Sequence, residues 1–323
     1  MEIVRYHDPL DGAVHVGVRG VEVTGDAGVI GEALITPVAV ADLADLWSRP
    51  ASDLPGILGA TAATATTTAA AATGAATTGA AGPRRPVEEV VLLPPVDGRT
   101  EVWAAGVTYA RSRAAREEES TVAGLYDRVY EAERPELFFK SVAWRVVTDG
   151  DPVAVREDSE LNVPEAELAL VVNAGGEIVG YGVCNDMSSR SIEGDNPLYL
   201  PQAKVYAGAC ALAPGIRPAW EVPDPGHLDI EVAVRRQGAV VWEAGTTTAA
   251  MVRTPEDLVA WLFAGQSFPA GVILSTGTGL VPEMDFTLHP GDVVQIVIDG
   301  VGTLTNPVRR GKGSFSGSGP DRV

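Results

Sequence analysis

Lysine is scarce in this chain. Only Lys140, Lys204 and Lys312 occur among 323 residues, within a total of 24 lysines and arginines. Arginine therefore supplies nearly all of the positive charge. A lysine kept inside an apolar motif indicates a need for a compact or titratable ammonium group, which arginine does not meet. Lys204 is such a lysine, because it ends the segment Leu-Pro-Gln-Ala-Lys at residues 200–204.

Positive charge and long apolar runs are also lacking. The 24 basic residues face 43 acidic ones, giving a formal net charge of −19. Nucleic acid and anionic membranes bind clustered Lys and Arg, so we expect neither as a partner. Residues 54–83 are uncharged, but Ala, Thr and Gly give too little hydrophobic gain for a membrane span. Because the start lacks a basic region followed by an apolar one, a cytoplasmic location is predicted.

Cysteine and histidine are too few and too scattered for several common sites. Cys184 and Cys210 lie in apolar surroundings, which predicts small buried side chains rather than a disulfide framework. No Gly-x-Ser-x-Gly elbow occurs between a strand and a helix, so a serine triad is poorly supported. Zinc-ligand spacing is likewise missing around the four histidines, which are His7, His15, His227 and His289.

Composition divides the chain into four segments. Residues 1–53 alternate short apolar and polar runs and predict a small N-terminal β-rich domain with one helix. Residues 54–84 form an Ala/Thr-rich, low-complexity linker or insertion that we expect to be disordered. Short strands separated by glycine-rich turns dominate residues 85–310, and residues 311–323 read as a disordered tail. The predicted fold class is mixed α/β, mainly β.

Three acidic residues follow two neighbouring predicted strands. Glu165 and Glu167 are two residues apart, so at the start of the strand at 168–172 their carboxylates point to one face. A hairpin with the strand at 179–184 brings Asp186 beside them. Three carboxylates form an oxygen-only site that suits Mg²⁺, with Mn²⁺ or Ca²⁺ as alternatives, and leaves positions for a substrate. The other interpretation is that the two glutamates are the solvated face of an edge strand.

Four motifs, in this order, resemble the fumarylacetoacetate hydrolase family. The resemblance runs from about residue 100 to residue 309. It implies the family's mixed β-sandwich and roll with a small N-terminal domain. It also implies a Mg²⁺ held by Glu165, Glu167 and Asp186, and a homodimer or homotetramer. The motifs are Pro-Glu-Leu-Phe-Phe-Lys at 135–140, Glu-Ala-Glu-Leu-Ala-Leu-Val at 165–171, Gly-Val-Cys-Asn-Asp-Met-Ser-Ser-Arg at 182–190 and Leu-Ser-Thr-Gly-Thr at 274–278.

A narrower resemblance points to one branch of that family. Residues 103–112 and 192–206 are similar to 2-keto-3-deoxy-pentonate dehydratases, which act on arabinonate or xylonate derivatives. The family's hydrolases usually carry a histidine shortly after the position of Tyr109, where it activates water for C–C cleavage. Here residues 111–116 read Arg-Ser-Arg-Ala-Ala-Arg, without a histidine. This departure favours dehydration.

The resemblance implies a Mg²⁺-dependent dehydratase of a 2-keto-3-deoxy sugar acid, a small 2-oxo acid, with a 2,5-dioxopentanoate-type product. Glu136 is the expected acid–base at C3 and C4. Lys204 is expected to act with it and to hold the substrate carboxylate or enolate oxygen; a Schiff base is the alternative. Thr278, Gln202 and Lys140 are expected to bind substrate. The alternatives are a surface carboxylate at a helix end for Glu136, a plain turn around Thr278 and a surface lysine at Lys140.

Two other functions remain open from the sequence. The first is a metal-dependent hydrolase of acylpyruvates or diketo acids, which would release pyruvate from an acylpyruvate. The second is a binding module in which the carboxylates hold a structural cation, and in that case Glu136 and Lys204 have no task.

Overall fold

The computed structural model describes residues 1–24, 29–63, 82–119 and 125–315. Strands dominate these residues, so the mainly β fold predicted from the sequence is confirmed. The described strands are β1 (Glu2–Asp8), β2 (Ala13–Thr24), β3 (Val29–Pro37), β4 (Arg85–Pro86), β5 (Val91–Leu93), β6 (Glu101–Gly106), β7 (Glu136–Val142), β8 (Val153–Val155), β9 (Asn162–Val163), β10 (Ala166–Val172), β11 (Ile178–Asp186), β12 (Ser188–Ser189), β13 (Cys210–Leu212), β14 (Gly215–Pro218), β15 (Asp229–Arg236), β16 (Ala239–Thr247), β17 (Val272–Ser275), β18 (Val293–Ile298) and β19 (Gly302–Arg310).

Two sheets carry the architecture. A 12-stranded sheet has the order β4-β3-β2-β1-β14-β11-β10-β17-β6-β7, with β13 pairing with β11 and β5 pairing with β1. A five-stranded sheet has the order β16-β15-β18-β19-β8, and β9 forms a small separate pair with β12. The large apolar core joins residues of β10 and β11 to residues of β15 and β18, so it lies between the two sheets.

Short helices border the sheets. The last of them, α7, begins after Thr254, whose Oγ1 accepts a hydrogen bond from the backbone N of Asp257 at 3.1 Å, with Pro255 as its first residue. No helix within the described ranges is long and apolar enough to cross a membrane. The helices are α1 (Leu43–Trp47), α2 (Leu54–Ala63), α3 (Ala110–Glu119), α4 (Leu125–Glu131), α5 (Arg190–Asp195), α6 (Leu200–Lys204) and α7 (Pro255–Gly265).

The N-terminal strands are part of the large sheet. β1 pairs with β14, with Ile3 opposite Ile216. Trp47 and Ile3 belong to one apolar cluster with Val171 and Ile273 of the central strands. The N-terminal segment therefore shares both a sheet and a core with the rest of the chain, and its division from it at residue 53 stays a prediction.

The expected disorder of the Ala/Thr tract is wrong at its beginning. Residues 54–63 form α2, in which Leu54 and Leu58 are fully buried. These leucines are four residues apart and lie on one helix face, which anchors the helix to the core. Residues 64–81 of the tract lie outside the described residues. In the predicted tail, residues 312–315 form a 3₁₀ turn with Phe315 over Gly208, and residues 316–323 lie outside the described ranges.

The β10–β11 hairpin positions the candidate site. Ala166 pairs with Asn185 and Glu167 pairs with Cys184, as the hairpin prediction requires. Because side chains alternate along a strand, Leu168 and its neighbours on that face point into the core between the sheets. The acidic residues point to the opposite face.

Candidate active site

Three carboxylates meet at the open end of the β10–β11 hairpin. Ligand oxygens of Glu165, Glu167 and Asp186 all lie within 4.8 Å of one another. The backbone N of Asp186 donates to the carbonyl oxygen of Glu165 at 3.0 Å, which joins the two strand ends. Each of the three residues is at most 3% exposed. This burial excludes a solvated edge strand and agrees with the predicted grouping.

The last residue of β17 and the loop after it surround the carboxylate of Glu167. Ser275 Oγ donates to Glu167 Oε2 at 2.5 Å, and the backbone N of Gly277 donates to the same oxygen at 2.9 Å. Gly277 has a φ of +87°, and a Cβ there would lie 2.2 Å from Thr108 Oγ1. The cradle therefore requires glycine. Glu167 Oε1 is buried without a hydrogen-bond partner among the described residues, which fits a cation ligand.

The electrostatics of Glu167 agree with a cation site. Burial raises the pKa of Glu167 well above its usual value, and the negative charges of Asp186 and Glu165 raise this pKa further. A divalent cation bound here would favour the ionised form of Glu167. Burial, and then the charge of Glu167, also raises the pKa of the Tyr109 hydroxyl. Sequence reasoning did not identify this buried phenol as part of the site.

Lys204 directs its ammonium group at two of the carboxylates. Its Nζ lies 2.9 Å from Glu165 Oε2 and 3.1 Å from Asp186 Oδ2, and it donates to Ser188 Oγ at 2.6 Å. The ring of Phe138 covers the ammonium at 5.6 Å. Lys204 is 1% exposed at the end of α6. Three converging acceptors around one nitrogen explain why a compact ammonium is used here instead of a planar guanidinium.

Lys140 lies on the other side of Asp186. Its Nζ forms an ion pair with Asp186 Oδ1 and donates to the carbonyl oxygens of Met187 at 3.1 Å and Lys204 at 2.5 Å. Two N–H groups are thus donated to carbonyl oxygens, while the charge of the ammonium faces Asp186. The expected role of Lys140 in substrate binding stays a prediction, whereas its 1% exposure excludes the alternative of a surface lysine.

A β-bulge explains the direction of Lys140. Val102 of β6 pairs with Ser141, whereas Trp103 pairs with Phe139. Lys140 is therefore an extra residue on β7, and such bulges re-aim side chains next to active sites. Strand periodicity alone does not contain this information.

Arg190 is a site residue that sequence reasoning missed. It is 1% exposed, and its Nη2 lies 3.1 Å from Glu165 Oε1. The same carboxylate oxygen accepts a hydrogen bond from Ser188 Oγ at 2.7 Å. Arg190 is the first residue of α5, four residues after Asp186. Its position inside the third family-like motif was the available signal.

The remaining predicted residues differ in their burial. Glu136 opens β7 and is half-buried, and it shares a face with Phe138 because the two are two residues apart. Thr278 is buried, one residue after Gly277, and its Oγ1 accepts from the backbone N of Leu280 at 3.1 Å. Gln202 is exposed on α6. It lies two residues before Lys204, and positions two apart on a helix do not face each other.

Comparisons with known proteins identify the family. Residues 101–309 match the model for the fumarylacetoacetate (FAA) hydrolase C-terminal domain. The chain belongs to the fumarylacetoacetate hydrolase family, as its motifs predicted.

Its relatives include two sugar-acid dehydratases. It is 50% identical over 214 residues, 66% of this chain and 73% of the relative, to the "probable 2-keto-3-deoxyxylonate dehydratase" of Haloferax volcanii. It is 41% identical over 228 residues, 69% and 76% of the two chains, to the 2-dehydro-3-deoxy-D-arabinonate dehydratase of Saccharolobus solfataricus. A solved structure of 2-keto-3-deoxy-D-arabinonate dehydratase complexed with magnesium and 2,5-dioxopentanoate is similar with a TM-score of 0.75 and 30% identity, over 96% of this chain and 99% of that one.

Proposed function

We propose that this protein is a Mg²⁺-dependent hydro-lyase that dehydrates a 2-keto-3-deoxy-pentonate to 2,5-dioxopentanoate. The observation that carries the proposal is the buried group of Glu165, Glu167 and Asp186 beside Lys204. Support comes from relatives of this activity that are 50% and 41% identical to the chain. A similar solved structure holds both magnesium and the dioxo acid.

Glu165, Glu167 and Asp186 are the proposed ligands of Mg²⁺, with Mn²⁺ or Ca²⁺ as substitutes. The partnerless Oε1 of Glu167 and the all-oxygen donor set fit a hard divalent cation. When bound, Mg²⁺ acts as a Lewis acid on a 2-oxo acid and increases the acidity of its C3 protons.

The residues of the chain then carry the proton transfers. We assign removal of a C3 proton to the Glu136 carboxylate, which returns that proton to the departing C4 hydroxyl, so that one water leaves. Proton shifts along the unsaturated chain convert C5 into an aldehyde. The ammonium of Lys204 holds a negative substrate oxygen by charge. Thr278, Gln202 and Lys140 are assigned to substrate binding, and Lys140 also contacts Asp186 and the end of α6.

Direct assay tests this function. Purified protein is incubated with 2-keto-3-deoxy-D-xylonate or 2-keto-3-deoxy-D-arabinonate, with Mg²⁺ or with EDTA, and 2,5-dioxopentanoate is measured. We expect product only with the metal, and its loss in Glu165→Gln. Glu231→Gln, the same change at an exposed strand position, is the matched control and should retain activity. Release of pyruvate from an acylpyruvate without dehydration would instead identify the hydrolase.

We also infer a cytoplasmic homodimer or homotetramer. The support is family membership together with the −19 net charge, which disfavours anionic surfaces. Light scattering coupled to size exclusion measures the assembly, and a monomer at assay concentration would contradict it.

A further inference from the structure

The carboxylate of Glu136 occupies space that a side chain on Gly106 would fill. Gly106 and Glu136 are the terminal pair of the β6–β7 ladder. A Cβ built on Gly106 would lie 2.1 Å from Glu136 Oε2, 2.6 Å from its Cδ and 3.2 Å from its Cγ. The acidic side chain is therefore folded across the Cα of Gly106, where only glycine leaves room.

The backbone that follows Gly106 is strained and firmly held. Val107 has a φ of +54°, which is an outlier for a β-branched residue. Thr108 fixes this turn, because its Oγ1 donates to the carbonyl oxygen of Thr276 at 2.7 Å. Its own carbonyl oxygen accepts from the backbone N of Val252 at 2.9 Å. Such strain persists only where the surroundings enforce it, and it clusters at active sites.

The same turn connects to the cradle of Glu167. Thr276 precedes Gly277, whose backbone N donates to Glu167 Oε2 at 2.9 Å. The end of β6 is thus tied to the loop that orients a proposed metal ligand, while Gly106 lies against the proposed acid–base. The rigid segment from Gly106 to Thr108 therefore sets the position of Glu136 relative to that of Glu167.

We infer that Gly106 is a positioning residue for Glu136, an inference that rests on the proposed function. Its missing Cβ lets the carboxylate lie against β6, in the place from which it reaches C3 and C4 of the substrate. A methyl group at this position would displace the carboxylate. Because the overlapping atoms belong to the far end of a flexible side chain, Glu136 would move and the strand pairing would remain.

Gly277 shows the contrast. A Cβ there would lie 3.0 Å from the carbonyl oxygen of Ala105 as well as 2.2 Å from Thr108 Oγ1, at a positive φ. A substitution of Gly277 strains the backbone itself, whereas a substitution of Gly106 acts on Glu136.

The test is a double-mutant cycle of Gly106→Ala with Glu136→Gln in the Mg²⁺-loaded enzyme. We expect Gly106→Ala to lower kcat about 100-fold, the effect of roughly 1 Å of misplacement, with KM within about threefold. Its Tm and its Mg²⁺ titration should match those of the unmodified protein. In the Glu136→Gln background, Gly106→Ala should cause no further loss, because both changes act through one carboxylate. The control is Gly182→Ala, where the nearest atom to a new Cβ is 4.0 Å away, and which should keep kcat.

Several outcomes would overturn the inference. An unchanged kcat, a loss that multiplies with that of Glu136→Gln, or a drop in Tm or Mg²⁺ affinity would each exclude a positioning role. Crystal structures of the unmodified protein and Gly106→Ala add a readout independent of activity, and an unmoved Glu136 carboxylate would also overturn it. Absence of dehydration by the unmodified protein would instead reject the proposed function, and the crystal comparison would still decide the placement of Glu136.

Discussion

At the open end of the β10–β11 hairpin, the two faces are equally buried and opposite in chemistry. On one face, Leu168, Leu170 and Val183 pack into the core between the sheets. On the other, Glu165 and Glu167 lie beside Asp186 with at most 3% exposure. Burial of the leucines stabilises the fold, whereas burial of the carboxylates opposes folding until they find positive partners. Farther along the acidic face, Ala169 and Val171 belong to a second apolar cluster, so the separation of fold from chemistry is confined to the open end of the hairpin.

Three basic side chains offset the cost of burying the carboxylates on the acidic face. Lys204 contacts Glu165 and Asp186, Lys140 contacts Asp186, and Arg190 contacts Glu165. A buried charge without such a partner is strongly destabilising. Glu167 differs from its two neighbours, because a hydroxyl and a backbone N–H group solvate it, whereas basic side chains form ion pairs with Glu165 and Asp186. A substitution of Glu167 should therefore distinguish an effect on function from an effect on stability most clearly.

Glu167→Gln should separate the two faces most clearly. Loss of a metal ligand removes Lewis-acid assistance worth several kcal/mol, which corresponds to a fall in kcat/KM on the order of 1,000-fold. The free energy of unfolding without metal should stay equal or rise near neutral pH, because the amide removes a buried charge. Steady-state kinetics with Mg²⁺ and urea denaturation with EDTA measure the two quantities. If the variant kept its activity and lost stability, the acidic face would serve the fold and not the chemistry.

Leu168→Ala, one residue along the strand, should do the opposite. Removing a fully buried leucine leaves a cavity and should cost about 2–5 kcal/mol of unfolding free energy. The kcat/KM of the folded fraction should stay within about threefold, because the side chain points away from the carboxylates. Urea denaturation and kinetics well below Tm test this expectation. A large loss of activity in the folded fraction would show that the two faces are coupled.

Lys140→Met tests whether a basic partner orients the acidic face. The change removes the ion-pair partner of Asp186 and the donor to two carbonyl oxygens, and we expect kcat/KM to fall about 10- to 100-fold, as when a partner of a metal ligand is removed. Lys312→Met, at an exposed lysine, is the matched control and should be neutral. Equal effects of the two substitutions would indicate that only total charge matters.

Much of this hairpin was predictable because it depends on local rules. Period-two alternation and a glycine turn are sufficient to place Glu165, Glu167 and Asp186 on one face. The scarcity of lysine singled out Lys204. The bulge at Lys140 was not predictable, because it depends on pairing with β6 more than 30 residues earlier in the chain. The role of Arg190 was not predictable either, because it arises from a contact with Glu165. The helix α2 was missed because its two leucines pack against residues that are distant in the sequence.

The smallest expected effect is the contribution of the acidic face to the pH dependence of stability. Without metal, burial raises the folded-state pKa of Glu167, and the charges of Asp186 and Glu165 add to this rise. Between the unfolded value, about 4.3, and the raised folded value, the folded state binds more protons than the unfolded state. The free energy of unfolding therefore falls as pH increases through this window, by at most about 1.4 kcal/mol per pH unit from this group.

Urea denaturation from about pH 5 to about pH 8 should show this slope with EDTA and a flatter one in Glu167→Gln. Mg²⁺ should restore stability at the upper end of the window, because it favours the ionised carboxylate. An equal slope in the unmodified protein and the variant would place the titrating group elsewhere.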